Sequence, residues 1–338
     1  MLLESDVFVQ TRSTGQGYIW NVRPGIEGQY IQNQTWRAAR SQNENATSRG
    51  NLSAIPIQSL RPVLSNIYLQ YNAIIFPEMD GASNSDYYKY LKDIEIQYIL
   101  DPKYMDKQPC INTTQRLCLV NWIVQIHQQL CLPPEVLFLC THIIDSVLSI
   151  RDAPKKYLQL LGIVALQIAY KFETRRCISV GYMAWLCADI YSIEEICAAE
   201  WYILDVLGYK LRWPGPITWL CQYEDIKDCS ILILSQFLIE LTLLDESFLQ
   251  WPSSQITAAS LYLSLCLCSK DWTYNHVRLS GYTTECLTGP VYHLGEVLQN
   301  YCQSSTTFTK YKCLGVIPAV EDMLNIVYNT VKVRISIA

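Results

Sequence analysis

The stretch QRLCLVNWIVQIHQQLCLPPEVLFLCTHIID, residues 115–145, decides the fold. Its first half is apolar on more than one side. On a helical wheel at about 100° per residue, Ile123, Arg116, Val120, Val124 and Leu117 share an arc. Gln115, Cys118, Leu119, Trp122 and Ile126 share a second one, flanked by Gln125. The first arc is the expected core. The second is either further core, covered by the amino-terminal segment, or an open docking stripe. Arg116 falls within the core arc, and a buried cation needs a partner. Asp145, at the end of the next helix, is the candidate.

Outward from this stretch the chain reads as helices separated by breakers. Helices are expected near 114–130, 134–149, 155–172, 179–189 and 192–207, with Pro133-Pro134, Pro154 and RWPGP at 212–216 between them. After RWPGP the plan repeats, near 216–222, 230–244, 253–268, 273–279 and 283–303. HIIDSVLS…LQLLGIVALQIAYK matches LTLLDESFLQWPSSQITAASLYLSL: an apolar helix ends near an Asp, and a wholly apolar helix follows. A helix apolar all round is a central one. Gly162, Ala165 and Ala169 give that helix small residues where neighbours approach closely. The expected fold class is all-α, two five-helix bundles.

Before the bundles, residues 1–85 are rich in Asn, Ser, Gln and Gly and read as a disordered arm. YYKYLKDIEIQYIL follows as a short helix that Asp101-Pro102 ends. Beyond 305, one helix is expected near 319–331.

Composition narrows the function. Of 338 residues 50% are apolar, and the net charge is −5. Without a basic run, nucleic acid is not an expected partner. The longest apolar runs are shorter than a bilayer crossing, so no membrane partner is expected. MLLESDVFVQ has no basic flank and does not read as a signal peptide. The 14 cysteines lack a CxxC pair, Cys266-x-Cys268 has no nearby histidine, and the four histidines complete no zinc site. The cysteines, among them Cys118, Cys140, Cys187 and Cys197, read as reduced small hydrophobes. No cofactor, metal or nucleophile–base arrangement is expected, and Glu224, Asp225 and Asp228 read as a solvated turn.

These residues also form a recognisable series. QRLCLVNW resembles the M-R-A-I-L-V-D-W box that opens the first cyclin fold. IIDSVLS, KKYLQLLGIVALQIAYKFE and AAEWYILDVLGY follow in the family's order and spacing. YLKDIEIQYILDPKYM resembles the helix preceding that box in mitotic cyclins, and the second repeat and GYTTECL resemble the second fold of B-type cyclins. The resemblance divides the chain into an arm (1–85), a lead-in (86–112), a first cyclin fold (113–211), a second (212–305) and an extension (306–338).

The resemblance implies a regulatory subunit that binds and activates a cyclin-dependent Ser/Thr kinase at G2/M, itself not an enzyme, in nucleus and cytoplasm. Kinase-gripping positions match Lys171 and Glu200, with Ile168, Phe172 and Leu204 beside them. A docking groove for kinase substrates or inhibitors matches Gln115, Cys118, Leu119, Trp122 and Gln125, with Lys155 and Gln159. Arg116 and Asp145 match the family's internal ion pair. Arg61, Leu64 and Ile67 fit an R-x-x-L-x-x-I destruction box, which implies a ubiquitin ligase of the anaphase-promoting type. Residues 1–88 contain no lysine, so Lys89, Lys92, Lys103 and Lys107 are the nearest acceptors. The chain departs from the pattern at Gln115, Cys118, Asn121 and Thr174, and it lacks the Pro-Pro pair expected within TRRCISVGYM. A transcriptional cyclin, or a nucleic-acid-binding factor like general transcription factor IIB, is the alternative. The latter wants a basic surface and a zinc ribbon.

Overall fold

The computed structural model describes residues 81–223, 226, 228–301 and 305–313, with short pieces between 322 and 329. The proposed destruction box and most of the arm lie outside these residues. Among the described residues there are helices and turns and no strand. Two compact units form. One comprises residues 100–213 and 243–250; the other comprises 81–99, 214–242 and the described residues from 251 onward.

In the first unit, α2 spans Thr113–Gln129, α3 Pro134–Ile150, α4 Leu158–Thr174, α5 Val180–Leu186 and α6 Ile193–Val206. Local chemistry sets their ends. Asn112 caps α2: its side chain accepts from the Gln115 N–H, and the Gln115 side chain accepts from the Asn112 N–H. Pro134 opens α3 at a position where the missing N–H costs nothing. Ser192 and Glu195 form the same reciprocal box on α6. α4 is the central helix, buried without interruption from Leu158 to Tyr170, and it packs on α2, α3 and α6. A Cβ on Gly162 would lie 2.6 Å from Leu119 Cδ1, so this glycine permits the approach of α2. The loop after α4 is held from within: buried Gln167 donates to the Ile178 carbonyl at 2.8 Å and accepts from the Ile178 N–H at 3.0 Å.

In the second unit, α1 spans Gly81–Glu95, α7 Pro216–Leu220, α8 Cys229–Thr242, α9 Ser253–Leu267, α10 Tyr274–Ser280, α11 Thr284–Tyr301 and α12 Thr306–Cys313. α9 is the central helix, packed on α7, α8, α10 and α11. The Glu95 carboxylate sits at its amino terminus, accepting from the Ser254 N–H and both Ser253 and Ser254 hydroxyls, each at 2.7 Å. A negative charge is favoured there by the exposed N–H groups and the helix dipole. Lys92, one turn earlier, donates to Ser254 Oγ and Tyr282 O–H at 2.8 Å and lies 4.0 Å from the centre of the Tyr282 ring. α12 is anchored by Glu240 of α8, fully buried, which accepts from Lys310 Nζ at 2.8 and 2.9 Å and from Tyr311 O–H at 2.7 Å.

Several expectations need correction. The helix expected to follow a disordered segment ending at 85 already begins at Gly81, and it gives way to a single 3-10 turn at Ile96–Tyr98. The extension forms α12 before the expected 319–331, much of which lies outside the described residues. Cys140 and Cys187 are buried thiols, but Cys197 is exposed, because it faces outward on α6. Lys92 is engaged by Ser254 and Tyr282, which makes it a poor acceptor; Lys89 and Lys103 are exposed, and Lys107 pairs with Asp101 at the surface.

Candidate functional site

The second stripe of α2 is not an open apolar face. Leu119 and Trp122 are buried, as is Ile126, and Gln159 is buried on α4. Gln115, Cys118 and Gln125 are half-buried, and Lys155 is exposed. A helical wheel gives directions and not depth. With Gly162 opposite, α2 approaches α4 closely enough to enclose Leu119. The Gln115 side chain is committed to the cap of α2. Gln159 Oε1 is shut off from solvent with no hydrogen-bond partner.

The Lys171–Glu200 pair has a different character. Lys171 Nζ reaches both carboxylate oxygens of Glu200, at 2.6 and 2.9 Å, and joins the end of α4 to the middle of α6. Both side chains keep contact with solvent, at 41% and 23% exposure. Phe172 is 44% exposed beside them. Leu204 is half-buried, while Ile168 is buried and belongs to the core rather than to the surface. On α6, Ile193, Cys197, Glu200, Trp201 and Leu204 recur at i, i+4, i+7, i+8 and i+11, the spacing of one helix face. Ile193 and Trp201 are 51% and 69% exposed, an apolar stripe that flanks the ion pair. Sequence reasoning missed Trp201. The recurrence was readable, but periodicity alone does not separate an outward apolar face from an inward one.

The departure from the family pattern at Thr174 also has a local account. The Thr174 hydroxyl donates to the Tyr170 carbonyl at 2.7 Å and accepts from the Arg176 N–H at 3.2 Å, closing the last turn of α4. A glutamate there would present a charge; threonine supplies a cap.

Arg116 and Asp145 meet in the interior of the first unit. Arg116 Nε and Nη2 donate to Asp145 Oδ1 and Oδ2 at 2.8 and 2.7 Å, and Nη1 donates to the Leu243 carbonyl at 3.0 Å. Tyr104 O–H donates to Asp145 Oδ1 at 2.7 Å and accepts from Arg116 Nε at 3.0 Å. Sequence reasoning did not find Tyr104 or the Leu243 carbonyl. Among the described residues no group of three or more His, Cys, Asp or Glu is placed to hold a metal ion. Nor is any helix there long and apolar enough to cross a membrane.

Two bundles of this plan, each around a central apolar helix and the first carrying a solvent-facing Lys–Glu pair, define a class, and comparison identifies it. The family model of the cyclin N-terminal domain matches residues 86–212, and that of the cyclin C-terminal domain matches residues 214–314. The chain belongs to the cyclin family. It is 37% identical over 229 residues to the G2/mitotic-specific cyclin cdc13 of Schizosaccharomyces pombe, covering 67% of this chain and 48% of that one. It is 35% identical over 212 residues to the G2/mitotic-specific cyclin-B of Emericella nidulans, 62% and 44% of the two chains. With the G2/mitotic-specific cyclin-B2 of Gallus gallus it shares 30% over 238 residues, 70% and 59%. The chain spans about half the length of the curated relatives it matches. A solved viral cyclin from herpesvirus saimiri shares the fold, with a TM-score of 0.56 at 18% identity, covering 66% of this chain and 98% of that one.

Proposed function

We propose that this chain is a regulatory subunit that binds and activates a cyclin-dependent Ser/Thr kinase in G2/M control. The Lys171–Glu200 pair with Phe172, Trp201 and Leu204 is its kinase-binding face. The carrying observation is an ion pair held at 2.6 Å in contact with solvent and bordered by exposed aromatic surface. An isolated surface pair contributes little to stability, and a large exposed apolar residue beside it marks a contact surface. Cyclin-family membership supplies the partner class. The subunit supplies no catalytic group. It binds the kinase conformation in which the regulatory-helix Glu pairs with the ATP-anchoring Lys, and so shifts the population toward the active state. Relatives named as G2/mitotic cyclins favour this reading over a transcriptional cyclin.

Further parts of the reading rest on the family resemblance. Gln115, Cys118, Gln125 and Lys155 form the rim of a docking groove for substrate or inhibitor segments, with Leu119, Trp122 and Gln159 as its floor. Arg61, Leu64 and Ile67 serve a ubiquitin ligase of the anaphase-promoting type, with Lys89 and Lys103 as the accessible lysines. The subunit works in nucleus and cytoplasm.

The test is a pull-down with wild type and the Lys171→Ala/Glu200→Ala double variant, followed by histone phosphorylation. Wild type should recover kinase activity and the variant lose most of it. Equal recovery by both would remove the assigned face.

A further inference from the structure

The loop between α4 and α5 carries the chain's one arginine doublet, Arg175-Arg176, and residues 174–188 include no acid. Both arginines are exposed, and among the described residues neither guanidinium has an ion-pair partner. Arg175 ends α4 in the left-handed region, at φ 57°, and the Thr174 hydroxyl accepts from the Arg176 N–H to close the turn. Gln167 pins Ile178 by both of its backbone groups, while Cys177 and Ser179 on either side of it stay exposed. Ser179 is extended, at φ −63° and ψ 138°. Its hydroxyl accepts from the Tyr182 N–H at 3.3 Å, near the long limit of a hydrogen bond. The stretch RRCISV thus sets a solvent-facing hydroxyl on an anchored, extended backbone, three and four residues after two unpaired cations.

We infer that Ser179 is a phosphorylation site for an arginine-directed Ser/Thr kinase. Such a kinase presents carboxylates beside its substrate groove, and a guanidinium meets a carboxylate through two N–H donors. An arginine already paired on its own chain would have to break that pair first; Arg175 and Arg176 have none to break. The doublet also singles the site out: no other Ser or Thr in the chain has an arginine three residues before it. A proline-directed kinase does not fit, because Val180 follows the serine. In the transfer, Ser179 Oγ bonds to the γ-phosphorus of ATP, the bond from that phosphorus to the β–γ bridging oxygen breaks, and ADP leaves. The hydroxyl proton passes to the catalytic-loop aspartate of the modifying kinase. The phosphoryl group brings a charge of about −1.5 to −2 at neutral pH, which cancels the positive charge of the doublet.

Incubation of the folded full chain with ATP and the catalytic domain of calcium/calmodulin-dependent protein kinase, an arginine-directed enzyme, tests this, with the phosphate located by tandem mass spectrometry. Phosphate should appear at Ser179. Arg176→Gln should slow its incorporation about tenfold or more, the loss of one charge-assisted contact. Its melting point should match wild type, because the side chain is exposed. Ser179→Thr keeps both a hydroxyl and the cap of α5 and should take phosphate at the same position; Ser179→Ala should take none there. Should Ser179→Ala fail to fold, the mapped site on wild type and the Arg176→Gln rate still decide. If the enzyme modifies a standard arginine-directed peptide but leaves Ser179 bare, the fold withholds the hydroxyl and the inference is overturned. It is overturned as well if Arg176→Gln incorporates phosphate within about twofold of the wild-type rate, since the doublet is then not what is recognised.

Discussion

Replacing Asp145 by alanine strands the buried guanidinium of Arg116 in the first unit. Arg116 is 2% exposed, and its Nε and Nη2 both donate to the Asp145 carboxylate, at 2.8 and 2.7 Å. Burial, the largest single influence, would pull its proton affinity down; the charge and hydrogen bonds of Asp145, with Tyr104 and Glu246, together outweigh it and hold it above the ordinary value. The substitution removes both carboxylate acceptors and leaves the Leu243 carbonyl and Tyr104 as its remaining partners. Tyr104, also buried, loses its acceptor. Breaking a buried pair from one side costs roughly 3–5 kcal/mol, against a typical domain stability of about 5–15 kcal/mol. With a urea slope near 3 kcal/mol/M, the midpoint should fall by roughly 1–2 M. Urea unfolding followed by tryptophan fluorescence gives that midpoint. The companion Arg116→Met/Asp145→Leu variant removes both charges and should be more stable than Asp145→Ala, which a double-mutant cycle reports as coupling. An Asp145→Ala midpoint within about 0.2 M of wild type would mean that water reaches Arg116, and the reasoning from burial would be wrong.

Three other outcomes follow from the same kind of argument. Gly162→Ala places a methyl 2.6 Å from Leu119 Cδ1 in a closed interior, and should cost roughly 1–3 kcal/mol in chemical denaturation. Lys310→Met leaves Glu240 buried with the Tyr311 hydroxyl at 2.7 Å and the Gln236 amide at 3.5 Å as neutral donors; differential scanning fluorimetry should show the second unit melting lower, by roughly 3 kcal/mol in stability, and a Glu240→Leu/Lys310→Met pair should recover part of it. His142, stacked on Trp213 at 4.2 Å, has its pKa pushed down by burial to about 4. An unfolded histidine titrates near 6.5, so the unfolded chain takes up a proton that the folded chain refuses. Stability should fall as pH drops from about 6.5 toward 4, by roughly 3 kcal/mol at most, and His142→Phe should flatten that limb in pH-dependent urea titrations.

Helix order and type were legible because the chain punctuates itself. Pro133-Pro134, Pro154 and RWPGP stop helices by removing N–H donors, and the 3.6-residue apolar period fills the intervals. Gly162 could be read as a close-approach position for the same reason. What escaped was set by distance along the chain. TTFTKYKC is polar and β-branched, with little helical preference of its own; it is helical as α12 because Glu240 holds Lys310 and Tyr311. Trp122 and Trp201 look alike in sequence, each on an apolar stripe. One is buried and the other 69% exposed, and only the placement of neighbouring helices separates them.

The bond from Glu95 to Ser253 and Ser254 spans 158 and 159 residues. During synthesis α1 leaves the ribosome well before the groups that complete it, and Arg116 likewise waits for Leu243. Neither compact unit is one continuous run of chain, so a cut at the linker near 213 yields two pieces that each lack a partner group from the other. Nascent chain paused before residue 254 should leave the α1 carboxylate without its target, which makes the timing of translation a factor in how this protein reaches its native form.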